Sequence, residues 1–263
     1  MKLTTSKLCA ALLPAACILL ASCGGEKWPC VNGHGDSVSE TRTLNGFTGV
    51  SNEMEATVYI TQGAEYAIRL EAQQNVLDDI TTKVSGGMLE IYSEHCINDA
   101  LPVIIYITMP DIESLSVSGS GNMFTQNKVT ASELDIDISG SGTFTSVDTI
   151  IALNIDMQIS GSGDMNLIAD APIVSTDISG SGDMSVSGNG GTMSAQISGS
   201  GQIHSFYFYV ANSTINISGS GNVELNAMDT INGSISGSGN LYYKNSPVIN
   251  MSVSGSGEII HVD

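Results

Sequence analysis

Apolar and polar residues alternate on both sides of a Ser-Gly-Ser-Gly run that recurs eight times along the chain. The residue before each run is valine or isoleucine, the one before that is polar, and the next one back is mostly apolar. After each run, a polar residue and then an apolar residue follow. Because this alternation has a period of two, it predicts a half-buried β-strand on each side of the run, with the apolar side chains pointing inward.

The eight runs begin 18 to 21 residues apart, at Ser118, Ser139, Ser160, Ser179, Ser198, Ser218, Ser236 and Ser254. A near-constant period of this length is typical of a solenoid, whereas a flexible linker would cluster its glycines. A rung of about 20 residues has no room for the helix that joins parallel strands in βαβ units. The pattern therefore predicts an all-β fold, a parallel β-helix (β-solenoid), and the general preference of parallel crossovers makes it right-handed.

Each Ser-Gly-Ser-Gly run is predicted to be the corner between the two strands of a rung, and segments such as residues 245–247 form the return turn. Rungs repeat every ~4.8 Å, so each corner lies directly over the one before it. Glycine permits a positive φ and a close backbone approach, and serine can bond nearby backbone or the serine of the next rung. A phosphate-binding glycine loop, the alternative, would be followed by a helix, which the sequence does not suggest.

Residues 41–112 lack the run but contain further strand-like segments, among them ATVYIT, YAIRLEA, MLEIYS and VIIYITMP. At about 20 residues per turn, they predict three or four irregular coils that close the hydrophobic end of the solenoid. No shift in composition separates them from the regular repeats of residues 113–263. We therefore expect a single domain over residues 41–263, preceded by a tether that occupies residues 23–40.

The first 22 residues have the features of a signal peptide. A short basic region precedes an apolar stretch, residues 8–20, that is too short to span a bilayer. The stretch ends in Leu-Ala-Ser-Cys, which is similar to the cleavage site of lipoproteins, so Cys23 is predicted to become a lipidated N-terminus. The alternative is an ordinary secretory signal with a chance cysteine. Acyl chains would anchor the protein stably. Gly24, directly after the lipidated cysteine, favours the outer membrane. The cell surface is the expected face of that membrane, and the periplasmic face is the alternative.

The net charge of the chain narrows the range of binding partners. The chain has 8 Lys and Arg against 27 Asp and Glu, a formal net charge of −19. This balance argues against nucleic acid as a partner, because its binding needs basic residues, and against membrane attachment through a polybasic patch.

Two cysteines, Cys30 and Cys96, remain outside the signal peptide and the lipidation site. In an oxidising envelope compartment they are predicted to form a disulfide; two separate buried thiols are the alternative.

Four segments carry a family resemblance together with the serial Ser-Gly-Ser-Gly turns: LNGFTGV, VYITQG, LDDITTKVSGGMLEIY and IYITMPDIESLSVSGSGNM. Over residues 42–263 the chain resembles the bacterial head GIN domain proteins, a family described as autotransporter adhesins. The resemblance implies an envelope protein of a Gram-negative, often gut-dwelling, bacterium. It also implies a fold similar to pectin-lyase-type β-helices without their catalytic residues, and a role in adhesion.

Two pairs of aspartates are the candidates for catalysis or cation binding. Alignment of the repeats places Asp164 over Asp183 and Asp135 over Asp156, each pair one rung apart. Carboxyl groups ~5–5.5 Å apart would suit a retaining glycosidase, but neither pair has Arg, Lys or His nearby in sequence. Stacked acids on a solvated face are therefore favoured over catalysis, and loose cation binding to these aspartates is favoured over a specific calcium site. We predict neither a specific metal site nor a cofactor.

One segment, HSFYFYV at residues 204–210, contains four consecutive aromatic residues. If Phe206 and Phe208 point inward, Tyr207 and Tyr209 face outward, near Tyr242. Exposed tyrosines on a polar sheet are a suitable platform for sugar rings or for a partner protein. The alternative is that β-propensity and core filling alone explain the aromatic residues.

The sequence thus predicts a lipid-anchored, non-catalytic envelope protein that acts in adhesion or binds a glycan or a host or cell-surface protein. A polysaccharide-degrading enzyme on a pectin-lyase-like fold is the first alternative, and a purely structural element of a surface assembly is the second. The sequence leaves the ligand and the oligomeric state open, and a homo-oligomer is among the alternatives.

Overall fold

The computed structural model describes residues 30–263, so the predicted signal peptide and Cys23 lie outside the described residues. The N-terminal part contains nine strands and one short helix: β1 (Val31–Asn32), β2 (Ser37–Arg42), β3 (Gly49–Asn52), β4 (Thr57–Gln62), β5 (Ala67–Gln73), α1 (Gln74–Leu77), β6 (Ile80–Ser85), β7 (Met88–Ser93), β8 (Ile97–Asn98) and β9 (Ile104–Met109). No helix within residues 30–263 is long and apolar enough to cross a membrane.

The repeat part consists entirely of strands and connecting turns. Its strands are β10 (Ser114–Val117), β11 (Asn122–Thr125), β12 (Val129–Thr130), β13 (Glu133–Ile138), β14 (Thr143–Ser146), β15 (Ile150–Ile151), β16 (Asn154–Ile159), β17 (Asp164–Gly180), β18 (Asp183–Gly199), β19 (Gln202–Gly219), β20 (Asn222–Gly237), β21 (Asn240–Lys244), β22 (Val248–Gly255) and β23 (Ile259–His261).

These strands pair in parallel from one rung to the next, at the register that the Ser-Gly-Ser-Gly runs predict. Strand β10 pairs with β13, β13 with β16, and β16 with β17, while β11, β14 and β17 form the next column of strands. Gly180 pairs with Gly199, so the corners of neighbouring rungs lie directly over each other. The predicted all-β solenoid is confirmed.

Each rung also contains a third strand that the alternation of residues did not indicate. The short β12 pairs with β15, and β15 pairs with the middle of β17. From β17 to β20 the chain is one strand of 16 to 18 residues from corner to corner. The prediction of two strands per rung was therefore incomplete. The return segment also needs partners for its backbone N–H and C=O groups, and pairing with neighbouring rungs supplies them.

Apolar columns fill the interior, as the alternation predicts. The valine or isoleucine before the corner is buried in the first seven repeats, at Val117, Ile138, Ile159, Ile178, Ile197, Ile217 and Ile235. In the last described rung the equivalent Val253 is 43% exposed, because no further rung covers it. Burial of such columns is the main stabilising contribution in a solenoid, since each rung contacts only its neighbours.

Glycine is required at the corners for two reasons, as Gly180 illustrates. Its φ is +151°, a conformation that residues with a side chain rarely adopt. A Cβ atom at this position would also overlap with the carbonyl oxygen of Gly161 in the preceding rung. That oxygen instead accepts a hydrogen bond from the Ser181 N–H at 2.8 Å. The corners are thus a continuous backbone ladder.

The N-terminal part closes one end of the core, but its topology differs from the expected three or four coils. Strands β3 and β4 form the first coil beneath β10 and β11, and β7 and β9 pair in parallel beneath β3 and β4. Three further strands run antiparallel, β5 on β9, β2 on β5 and β6 on β7. Antiparallel pairing lets the chain turn back by short connections and cover the open end. Because β2 begins at Ser37, the folded part also starts before residue 41.

Hydrogen bonds, a short helix and a disulfide complete this cap. The guanidinium of Arg42 donates hydrogen bonds to the carbonyl oxygens of Ile80 and Leu77 at 2.6 and 3.0 Å. Helix α1 buries Val76 and Leu77. Cys30 and Cys96 form a disulfide with a Cα–Cα distance of 4.6 Å, and this bond joins the short parallel strands β1 and β8. The alternative of two separate thiols is not observed.

Candidate functional site

One rung carries an insertion on the outer surface of the solenoid. The pairs that flank it are Ser185–His204 and Ser187–Tyr207 with the preceding rung, and Ser205–Leu225 and Tyr209–Asn226 with the following rung. The rung therefore has one extra residue relative to the preceding rung and, locally, three relative to the following one. Residues 206–208 have no paired residues in the following rung. We call residues 206–209 the aromatic bulge.

The insertion changes which aromatic side chains face the core. Phe208 is fully buried, while Tyr207 is 75% exposed and Tyr209 is 52% exposed, as predicted. Phe206 was predicted to point inward but is only partly buried. The inward position before it is taken by Ser205, which is buried, so the extra residue shifts the alternation and leaves Phe206 at the surface. A β-bulge characteristically redirects a side chain in this way.

The preceding rung makes room for the one ring that enters the core. Phe208 pairs with Gly188, and a Cβ atom at Gly190 would lie 2.6 Å from Cζ of the Phe208 ring. Gly188 and Gly190 thus leave space for a large residue in the next rung. Such matching of small and large residues maintains close packing in the interior.

Contacts with the two following rungs hold the aromatic bulge in place. Asn226 Nδ2 donates a hydrogen bond to the carbonyl oxygen of Phe206 at 2.9 Å, and Ser205 Oγ donates one to the carbonyl oxygen of Glu224. The ammonium of Lys244 lies 4.9 Å from the centre of the Phe206 ring. These contacts replace ladder bonds that the insertion interrupts, so the bulge is a positioned element rather than a loose loop.

A groove of about 330 Å³ lies beside the aromatic bulge. One wall contains the His204–Glu224 pair, in which Nδ1 of His204 lies 3.0 Å from Oε2 of Glu224. Tyr207 and Ile168, both exposed, contribute apolar surface. The remaining lining residues are Ser146, Asn166, Leu167, Ser185, Val186, Ser187 and Phe206. The groove therefore combines hydrogen-bonding groups with an exposed aromatic ring, the usual composition of a small-ligand site.

The three tyrosines proposed from the sequence occupy different positions around this groove. Tyr207 lines it. Tyr242 pairs with Glu224, one rung beyond the groove wall, and Tyr209 pairs with Asn226. Within the part of the chain that the structure describes, the three rings make no ring–ring contact with one another. They are therefore not a single stacked platform.

The aspartate pairs have the register that the alignment predicts. Asp164 pairs directly with Asp183, and Asp135 with Asp156. None of the four lines the groove, and Asp156 accepts a hydrogen bond from Asn154 Nδ2 at 3.1 Å. Among residues 30–263, no three or more His, Cys, Asp or Glu side chains cluster as metal ligands would. The geometry thus offers pairs of acids on an outer face, without a third ligand.

His204 and Glu224 were not singled out from the sequence, although a signal for them existed. Both stand three residues after the last glycine of their Ser-Gly-Ser-Gly runs, so they occupy the same outward column on successive rungs. In the first coils that column holds an aromatic ladder, in which Tyr59 stacks between Tyr106 and Phe124 with centroid distances of 5.4 Å. Rings stacked along the solenoid axis expose mainly their edges, so this ladder stabilises the cap rather than offering ring faces.

A second, larger cavity of about 530 Å³ lies beside the first corner, where the loop of residues 99–103 leaves the stack. Its lining includes Glu55, Asp99, Ser93 and Asn122, and no aromatic residue. Because two acids and small polar groups line it without a ring or a basic side chain, it has fewer features of a binding site than the groove.

Comparison with known proteins agrees with the architecture. The chain matches the family described as "Putative auto-transporter adhesin, head GIN domain" twice, over residues 46–151 and 135–247. A search of the curated proteins found no match.

Solved structures share the fold along nearly the whole chain. A "Putative lipid binding protein" from Parabacteroides distasonis is 22% identical with a TM-score of 0.86, and the match covers 89% of this chain and 100% of that one. A "putative adhesin" from the same organism has the same identity and coverage with a TM-score of 0.85. A "putative adhesin" from Parabacteroides merdae is 18% identical with a TM-score of 0.84, covering 89% of this chain and 99% of that one. On the matches to its sequence, the chain belongs to the head GIN domain family of adhesin-like proteins.

Proposed function

We propose that this protein is a lipid-anchored, non-catalytic adhesion module of the bacterial envelope that binds glycans through the aromatic bulge. The observation that carries the proposal is Tyr207, a ring 75% exposed to solvent on a bulge held by the contacts of Asn226 and Lys244. A rigid, exposed ring supplies contact area at little cost in side-chain entropy, which is the property that sugar-binding and protein-binding surfaces need.

The family supports the adhesion role, since its description is that of an adhesin. An adhesin acts at the cell surface or in the envelope, which fits the acidic composition and the disulfide between Cys30 and Cys96. Most glycoside hydrolases need two carboxyl groups that flank the scissile bond, and Glu224 is the one carboxylate among the residues that line the groove. The aspartate pairs lie outside the groove, which favours binding over cleavage.

Binding of the full-length protein to a glycan array and to intact host cells tests the proposed function. Tyr207→Ala and Tyr209→Ala should each weaken binding by about tenfold, because each removes a ring from the contact surface. Tyr242→Ala should weaken it less, since that ring lies one rung beyond the groove. All three variants should unfold within a few degrees of the parent, because outward rings add little to the core.

The matched control is Asp164→Asn combined with Asp183→Asn, which should leave unchanged the binding of the glycans that the parent binds. Binding that survives all three tyrosine substitutions would locate the contact surface elsewhere. Release of reducing sugar by the parent, abolished in the double aspartate variant, would show that the protein is an enzyme.

For the anchor, we propose that Cys23 carries lipid and that the protein resides in the outer membrane, facing outward. Cys23→Ala should leave an unlipidated protein that is soluble or retained as the precursor, because the acyl chains provide the only membrane attachment proposed here. Membrane fractionation and protease shaving of intact cells measure both points. A processed Cys23→Ala protein that still co-sediments with the outer membrane would contradict the anchor.

A further inference from the structure

We infer that the groove beside the aromatic bulge binds a neutral sugar of a linear glycan whose chain runs along the solenoid axis. This inference rests on the proposed glycan-binding function and specifies the class of ligand. It follows from two side-chain columns that flank the groove and from the charge around it.

The first column is polar. Its side chains occupy the same outward position on successive rungs: Thr145, Asn166, Ser185, His204 and Glu224. Rungs advance by ~4.8 Å, so these side chains present hydrogen-bonding groups in a line parallel to the axis. The contact between His204 Nδ1 and Glu224 Oε2 fixes the orientation of the Glu224 carboxylate and leaves its second oxygen to accept from a ligand hydroxyl.

The second column lies two residues beyond Asn166 and Ser185 on their rungs and, because of the insertion, three residues beyond His204. Ile168 and Tyr207 are exposed, and Ser187, which lies between them, pairs with both. Ile168 and the Tyr207 ring thus form an apolar stripe along the axis, with Ser187 between them. A sugar presents hydroxyl groups at its edge and C–H groups on its face, so it can contact both columns at once.

The charge around the groove determines which sugars fit. Glu224 lies in its wall, and the residues that line the groove include no Lys or Arg. Asp164 and Asp183 lie on the same outward side, two residues before Asn166 and Ser185 in the sequence. Lys244 is engaged over the Phe206 ring and is not part of the lining. Like charges repel across a contact surface, so sialylated, sulfated or uronic sugars are disfavoured and neutral sugars are accepted.

The experiment uses the full-length protein, extracted in detergent, on an array in which each neutral oligosaccharide is paired with its sialylated or sulfated derivative. We expect neutral members to bind at least about tenfold more tightly than their acidic partners. Glu224→Gln and Ile168→Asp should each reduce neutral-glycan binding by about tenfold, the first by weakening a charged hydrogen bond and the second by placing a charge on the apolar stripe. The control is Glu258→Gln, an exposed acid outside the groove, which should bind like the parent.

The outcomes separate this inference from the proposed function. Preference for the acidic partners would overturn the inference while leaving glycan adhesion intact. Neutral preference that survives both Glu224→Gln and Ile168→Asp would overturn the assignment of the groove. Absence of binding to any glycan would overturn the proposed function itself. Because both substituted side chains are at the surface, circular dichroism and thermal unfolding should match the parent for every variant.

Discussion

At the scale of single residues, the outward column before each corner shows how a parallel stack accommodates like charges. Asp137 pairs with Gln158, Gln158 with Asp177, and Asp177 with Gln196, so that acids and amides alternate. Gln196 Nε2 donates a hydrogen bond to Asp177 at 2.9 Å. Alternation keeps two carboxylates from facing each other on adjacent rungs, where they would be destabilising.

Asp137 is the exception in this column. Its Oδ1 atom is buried and has no hydrogen-bond partner within residues 30–263. Burial disfavours the charged form and raises the pKa of the Asp137 carboxyl above its ordinary value of 3.8. The unfolded chain therefore loses this proton at a lower pH than the native protein. The contribution of Asp137 to stability declines as the pH rises from about 3.8 through the native pKa.

We therefore expect Asp137→Asn to stabilise the protein at pH 7, because the amide carries no charge to desolvate. At pH 3, where the carboxyl is protonated in both states, the gain should disappear. Melting temperatures of parent and variant at the two pH values measure the effect. Asp177→Asn is the control, since that carboxylate has a partner and should gain nothing at pH 7. An Asp137→Asn gain of equal size at both pH values would contradict the role of desolvation.

At the scale of the element, the corner is the most demanding part of each rung. The eight first glycines of the runs all have positive φ, between 125° and 156°. The serine hydroxyls are less constrained; Ser139 Oγ donates a hydrogen bond to Ser118 Oγ at 3.1 Å. Backbone conformation and contact distance therefore explain the glycines, and local hydrogen bonding favours the serines.

Gly180→Val should destabilise the protein by at least about 2 kcal/mol, because a β-branched residue meets both a positive φ and the backbone of Gly161. Denaturant unfolding of parent and variant measures the difference. Gln158→Thr, an outward substitution in a nearby strand, is the matched control and should change stability by less than about 0.5 kcal/mol. Equal stability of the two variants would refute the stacked corner.

At the scale of the whole molecule, the two described ends of the solenoid differ. The N-terminal end is closed by antiparallel strands, by α1 and by the contacts of Arg42. The opposite end leaves Val253 in an uncovered rung. The groove lies on the lateral surface between these ends, where neighbouring rungs on both sides support it. The proposed glycan contact therefore depends on the middle rungs, and the cap contributes to stability.

Cys96→Ser should lower stability mainly at the cap, since the disulfide closes a loop of 66 residues and joins two strands of only two residues each. Loss of a cross-link of this length costs up to about 4 kcal/mol by the chain-entropy argument. Hydrogen exchange should become faster in β1, β2 and β8, with the middle rungs unchanged. Glycan binding should be retained. Loss of binding in Cys96→Ser at a temperature where the middle rungs stay protected would contradict the separation of cap and groove.

The spacing of residues along the chain predicted much of this architecture. In a parallel stack of constant period, a residue lies above its counterpart one period away, so sequence spacing converts directly into contact. That relation was sufficient for the inward columns, the glycine corners and the pairing of Asp164 with Asp183. The same relation would have predicted the contact between His204 and Glu224.

Only the tertiary structure decided the features in which the period is broken. The antiparallel strands of the cap depend on which edges remain open after the first coil forms, and local alternation does not specify that. The surface position of Phe206 depends on where the strand accommodates one extra residue. Phe208 enters the core instead, because Gly190 in the preceding rung has no side chain and leaves space for its ring. The groove exists because the insertion lifts Tyr207 beside Ile168 and Glu224. Local pattern specifies a strand and its inward face, whereas packing against distant residues selects among the registers that the pattern allows.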